Sequence, residues 1–546
     1  MKLPLEQNAH LIVDTDLNLT DSLSVQDSTL VLNGNISATS LRFYNSQIER
    51  EATDSFTVQQ ASFTDQSYEY KDDLVTTAMH ASNSSIAVNR SLNLVSLDLH
   101  NTDLTINEPS SIDEVESRGG TIAINHDFSS EILADGTNFV MNSGKLSGSI
   151  SEGSSSYSSN TTPIQFTRNG GLFNLDSLQV FRVSSLTLGL GDRISNLDIG
   201  YNDSELIINA ELDFDEVTAD TLTLNASISA NSLSVRGLIE RSDNSKITAD
   251  SLRVQNYEFD GTDRIYQSLS GHNIDVAAPL VLSTDLSGSD LTIDAPTTAP
   301  AMIFTGELNI NSELQISQLS GTDGVINLNH DLSALTRLSH SQINLNEGTL
   351  FGSLRVDNFA PDLLPPSAVN HLGGNFSLTN LTVEMGALIN ILGIDNVQES
   401  VLVQSDGTVV SYRPLDLYQV GIYDAQFDYH QALGETTGIE VDLLTIAEGG
   451  NLRLLFDEQQ TTGLDWGMRI AGDQTMQMQS WIDQGNITWE ANQEIGFFYL
   501  PEQFGDYTYV GSFTAVPEPT STTILALAGL TIISTRRQRN ASAQTV

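Results

Sequence analysis

One phrase of this chain can be laid on two others without a gap. Leu30–Phe43 matches Leu222–Val235 and Leu280–Ile293, with the apolar residues falling at the same places in all three. A shorter unit, Ser-Leu-any-apolar, recurs at Ser22–Val25, Ser96–Leu99, Ser177–Val180, Ser185–Leu188, Ser251–Val254 and Ser353–Val356. A third phrase, Gly120–Ser129, returns as Gly324–Ser333, each copy carrying a His-Asp pair: His126-Asp127 and His330-Asp331. From Leu11 to about Asn358 apolar and small polar residues alternate in short bursts, the period of strands with one buried face. Such strands, joined by Gly, Asn, Asp and Ser turns, cannot each close a core. They must stack on like neighbours, which predicts an all-β chain built as a parallel β-solenoid, a β-helix with up to roughly 20 residues per turn. The same alternation also allows a stack of antiparallel sandwich domains.

The texture changes around Ala360–Pro366, where prolines cluster, and all three tryptophans (Trp466, Trp481, Trp489) come later. The expected organisation is a β-solenoid repeat region over 1–358, a Pro-rich linker over 359–366, and a smaller β-rich C-terminal module over 367–513, followed by a tail. Within the module, Ile439, Val441 and Leu443 alternate, as do Leu452, Leu454 and Phe456 across Gly449-Gly450, which reads as a hairpin. Asp473 and Gly485 bracket a short helix with Met478, Trp481 and Ile482 on one face. Asp506–Val510 reads as the last strand, and the module is expected to shield the solenoid's open edge.

Composition narrows the partners. Asp+Glu 70 against Lys+Arg 23 gives a formal charge of −47, a surface that repels nucleic-acid phosphates and anionic lipids and recruits cations. The acids are interleaved with Leu, Ile and Val, so this is not a disordered acidic tail. There is no cysteine, hence no disulfide, thiolate ligand or thiol nucleophile.

Motifs of known chemistry are missing from the sequence: no His-Glu-x-x-His, no Gly-x-Ser-x-Gly, no phosphate-cradling Gly-x-x-x-x-Gly-Lys. His126 and His330 are duplicated, as structural repeat positions are, whereas a catalytic site is normally built once. Acid clusters at Asp14, Asp16 and Asp21 and at Asp213, Asp215 and Glu216 are the candidates for acid chemistry. Neither has EF-hand spacing, so no dedicated metal site is expected beyond weak, nonspecific Ca2+ screening. The expectation is no catalytic residues, no metal ligands and no cofactor.

The end of the chain carries a different signal. Val516-Pro517-Glu518-Pro519 is extended by its prolines. It is followed by an apolar segment containing Ile524, Leu525, Leu527, Leu530, Ile532 and Ile533, and then by Arg536, Arg537 and Arg539, which would hold their end on the cytoplasmic side. This order over residues 515–539 resembles the PEP-CTERM sorting domain of exported Gram-negative bacterial proteins, and 438–513 is more loosely similar to segments of long repeat-bearing members. The resemblance implies a recognition motif at Val516–Pro519, a C-terminal transmembrane sorting helix within 514–539 and a short tail, 540–546. It also implies an exosortase-like membrane enzyme as partner, and association with exopolysaccharide or the outer envelope. Residues 1–8 hold no apolar core and no cleavage site, so the export signal is expected upstream of Met1.

The resulting expectation is a non-enzymatic cell-surface or extracellular-matrix repeat protein, exported and transiently anchored in the inner membrane. Two alternatives stand beside it: an adhesin-like, carbohydrate-binding surface protein with an exposed aromatic row, and a β-helix polysaccharide lyase or hydrolase with a single groove of unrepeated acids.

Overall fold

The computed structural model describes residues 3–5, 8–50, 55–71, 74–153, 163–183, 185–200, 204–358, 367–431, 438–456, 467–489, 495–501 and 506–512. It is all-β, a parallel β-solenoid of about 22 turns with almost no helix. The chain divides into two compact units, Met1–Tyr257 with Thr262–Leu269, and Glu258–Gly261 with Ser270–Val546.

In the first unit each turn lays one longer strand on a broad wall and one strand of about four residues on a narrow wall. Residues 85–141 show the plan. Narrow strands Ser85–Val88, Asp103–Ile106, Thr121–Ile124 and Asn138–Met141 pair in parallel. Between them Asn93–His100, Ser110–Arg118 and Phe128–Asp135 pair in the same sense on the broad wall. Alternation then buries two files of side chains: Ile86, Leu104, Ile122 and Phe139 under the narrow wall, and Leu97, Val115, Ile132 and Ile150 under the broad one. Each such residue contributes about 1.5–3 kcal/mol when fully buried. It does so only because the turns above and below cover it, so stability is shared between neighbours.

The Ser-Leu-any-apolar unit lies mostly on the broad wall, its leucine and last apolar residue pointing inward. Ser22, Ser40, Gln60, Ala78, Ser96, Glu114, Glu131, Ser149, Ser177, Asn196, Glu216, Ser232 and Ser251 stand in one register column of the broad wall. Ser185–Leu188 does not join them and lies on the narrow wall. The corners leading into five narrow strands are left-handed, with φ of 48°, 42°, 50°, 47° and 46° at Asp27, Asn45, Asp65, Asn83 and Asn101. Asn and Asp are the non-glycine residues that enter this region most readily.

The second unit repeats the plan, with strands that run on from wall to wall. Leu314–Leu328 pairs through its first half with Leu332–Ser339 and through Val325–Leu328 with Gln342–Leu345. Here the third copy of the long phrase is out of phase with the other two. Leu30–Leu32 and Leu222–Leu224 are narrow-wall residues. Leu280, by contrast, begins a broad-wall column through Thr297 and Leu314, and Leu291–Ile293 takes the narrow wall. Both walls demand the same inward alternation, so a gapless match does not fix the phase.

Three expectations are corrected. The repeat region does not end at 358: Gln342–Leu345 pairs in parallel with Ala368–His371, and Thr349–Asp357 with Asn375–Glu384, so the stacking of turns continues past it. Ile439–Ile446 and Asn451–Phe456 do not form a hairpin across Gly449-Gly450. They pair in parallel with Asp416–Tyr423 and Gln426–Gln431 of the turn before, on different walls. The β-rich module over 367–513 is therefore mostly further solenoid.

Only its end differs. Tyr507–Ser512 pairs antiparallel with Met468–Ala471 and with Ile495–Leu500, and this covers the edge of the last parallel broad-wall strand. The helix Thr475–Gln484 closes on Gly485, left-handed at φ 79°, with Met478 and Trp481 buried. Asp473 accepts from the Thr475 N–H at 3.1 Å, and the Trp481 indole donates to the Ile446 carbonyl at 3.2 Å.

Candidate functional site

The residues expected to form a sorting signal lie outside the described residues: Val516, Pro517, Glu518 and Pro519, the apolar Ile524, Leu525, Leu527, Leu530, Ile532 and Ile533, and Arg536, Arg537 and Arg539. No described helix is long and apolar enough to cross a membrane.

The acid clusters act as ties between turns. Asp14 Oδ1 accepts from the Asn33 side chain at 2.9 Å, and Asp16 Oδ1 accepts from the backbone and side-chain N–H groups of Asn35 at 2.9 and 3.0 Å. Asp21 accepts from the Thr39 N–H through its carbonyl at 2.7 Å. Asp213, Asp215 and Glu216 all face outward from the broad-wall strand Leu212–Ala219, and Asp215 accepts from Asn231 of the next turn at 3.3 Å. Among the described residues no three His, Asp or Glu side chains gather as a metal ion would need.

His126 and His330 stand at the same exposed corner of their turns, between a narrow and a broad strand. The carboxylates beside them reach forward: Asp127 accepts from the Lys145 N–H at 3.0 Å and Asp331 from the Thr349 N–H at 2.8 Å. The repeated phrase is a corner that fastens one turn to the next.

Concavity is shallow. A depression of about 570 Å³ is lined by Asp65, Asn83, Ser84, Ser85, Asn101 and Asp103, which belong to the left-handed corners. Its polar groups bind each other between turns, as where the Gln66 N–H donates to Ser84 Oγ at 3.1 Å and the Ser84 N–H to Thr102 Oγ1 at 3.3 Å. Exposed aromatics do not form a row where their register is defined: Tyr44 is flanked by Gln26 and Thr64, and Phe351 by Ser333 and Ser377.

Two sets of polar residues went unread in the sequence. One is an asparagine ladder at the exit of the narrow wall. Asn107 donates to Asn89 at 2.7 Å, Asn125 to Asn107 at 2.6 Å, Asn142 to Asn125 at 2.8 Å and Asn169 to Asn142 at 2.8 Å. The second unit has its own, Asn346 to Asn329 at 2.8 Å and Asn329 to Asn311 at 2.6 Å. Its available signal was an Asn directly after Val88, Ile106 and Ile124, at intervals of 18 residues. The other set is buried carboxylates paired with cations: Asp192 with Arg168, Glu152 with Arg182 at 2.7 Å, Asp263 with Arg241 at 2.6 Å and Asp428 with Arg453 at 2.6 Å. Pairing is what makes such burial tolerable.

Two carboxylates sit less comfortably. Asp198 Oδ1 and Asp275 Oδ1 are buried without a hydrogen-bond partner. Burial pushes both carboxyls above the usual range; Arg236 partly offsets it at Asp198, while Asp294 and Glu258 add to it at Asp275.

No protein-family model matches the chain, and neither the curated proteins nor the solved structures contain a match.

Proposed function

We propose that the chain is an exported, non-enzymatic structural repeat protein of the cell surface or extracellular matrix, sorted by an exosortase-type enzyme and associated with exopolysaccharide. The observation that carries this reading is the order of the tail: a Val516–Pro519 motif, an apolar segment and the arginines 536, 537 and 539. Those three elements are what an enzyme embedded in a bilayer needs to hold a substrate in place before acting on it. The rest of the chain suits the role of cargo. Stacked turns tied by asparagine ladders and paired buried charges make a scaffold whose stability needs no disulfide, and its acidic surface fits a hydrated, cation-containing matrix.

The test is location. A chain ending at Ala515, expressed in an exosortase-bearing host behind a secretory leader, is expected to lose envelope retention or surface delivery while its repeat region still folds. Unchanged delivery would remove the support for sorting. Replacing Pro517, Glu518 and Pro519 by alanine, with the apolar segment intact, separates motif recognition from membrane retention.

A further inference from the structure

Among the described residues one corner device occurs three times, and its third copy differs in a single chemical respect. Asp192, Asp263 and Asp395 each stand just before a broad-wall strand with side chains 1%, 1% and 0% exposed. Each carboxylate accepts a backbone N–H from the broad wall one turn back: Phe173 at 3.0 Å, Ile247 at 2.7 Å and Phe376 at 3.0 Å. Asp192 and Asp395 also accept from their own corners, from Gly189 at 2.8 Å and Leu392 at 2.7 Å. In all three the cation is the last residue of the narrow strand one turn back. Arg168 ends Gln165–Arg168, Arg241 ends Ile239–Arg241, and His371 ends Ala368–His371.

Arginine stays charged at any pH a protein meets, whereas histidine is the side chain whose charge changes between pH 5 and 8. His371 is 8% exposed, its Nε2 lies 3.3 Å from Asp395 Oδ2, and neither ring nitrogen has an aligned hydrogen-bond partner. The charged groups facing this corner are Asp395 itself and Arg413, which donates to the Asp395 carbonyl oxygen. The other neighbours are apolar: Leu345 is the register partner of His371, and the Phe376 ring lies 5.7 Å away.

We propose that His371 and Asp395 form a proton-dependent clasp between stacked turns. With the imidazole protonated, the corner is locked by an ion pair, as Arg168 and Arg241 lock theirs. With it neutral, the buried carboxylate keeps its backbone donors but loses the charge of the ring, and the corner opens more readily. A charged imidazolium attracts the buried carboxylate and a neutral ring does not, so the clasp tightens on acidification. His80 with Asp98, at 2.8 Å, is the contrasting case, because both side chains are about half exposed and solvent screens them.

The experiment is hydrogen exchange on the full chain at pH 5.5 and 7.5, corrected for intrinsic rates and read at the Phe376 and Leu392 amides that Asp395 accepts. Protection of both amides is expected to fall at the higher pH, where the ring no longer carries the charge that pairs with the carboxylate. The Phe173 amide at the arginine-held corner serves as control and should show no such change. H371R should protect Phe376 equally at both values, and H371Q should give the wild-type pH 7.5 behaviour throughout. Equal protection in the wild type, or a pH dependence that survives in H371R or H371Q, would overturn the clasp.

Discussion

Gly348 lies one turn beyond His330, so close that a Cβ built on it would stand 2.2 Å from the His330 carbonyl oxygen. Gly144 stands in the same relation to His126, at 2.3 Å from its carbonyl carbon and with φ of +73°. The duplicated His-Asp corner therefore requires a glycine in the following turn. Gly144→Ala should destabilise the turns around it by about 1–3 kcal/mol, the range for a strained left-handed residue. Hydrogen exchange across 121–150 measures it, and His126→Ala should have far less effect because that side chain is exposed.

The ladder makes a second, separable prediction. Asn125→Ala leaves the Asn107 carbonyl without its donor and the Asn142 amide without its acceptor. The expected loss is about 0.5–1.5 kcal/mol in the local opening free energy of those turns, the net worth of a hydrogen bond that water can partly replace. Site-resolved exchange is the right measurement, since a long stack of turns need not unfold in one step.

Asp198 gives a prediction with a definite sign in pH. Its folded carboxyl is raised by burial, so the stability linked to it is present below the unfolded titration and is lost as pH rises through the folded one. Asp198→Asn should stabilise the first unit at neutral pH and leave it nearly unchanged at acid pH. Thermal melts of the two chains from pH 3 to pH 7 should converge at the acid end; a constant offset would show that the effect is not the charge.

The surface charge of −47 predicts that millimolar calcium raises the melting temperature at low ionic strength, and that added monovalent salt erases most of the gain. A melting temperature indifferent to calcium would contradict it.

The sequence displayed the inward alternation openly, and with it the all-β stacking, because Leu23, Leu41 and Leu97 must all point inward in every turn. It displayed the end of the helix Thr475–Gln484 through Gly485, whereas the N-cap is Gln474 and Asp473, one residue earlier, accepts from the Thr475 N–H. What it hid was non-local. Gly449-Gly450 turns a solenoid corner as readily as a hairpin, and only pairing with residues 416–431 decides which. The prolines near 361–366 marked an interruption, but a solenoid resumes after an interruption if the next strand finds its register, as Ala368–His371 does. Asn125 and Asp263 look like ordinary turn residues until the neighbouring turn supplies their partners.

The most direct measurement is mass spectrometry of the chain's C-terminal peptide, recovered from the envelope and medium of cells that produce it. The account predicts that exported chains lack Arg536, Arg537 and Arg539 and end near Pro519. Full-length chains carrying those arginines, recovered intact and soluble from the cytoplasm, would contradict it.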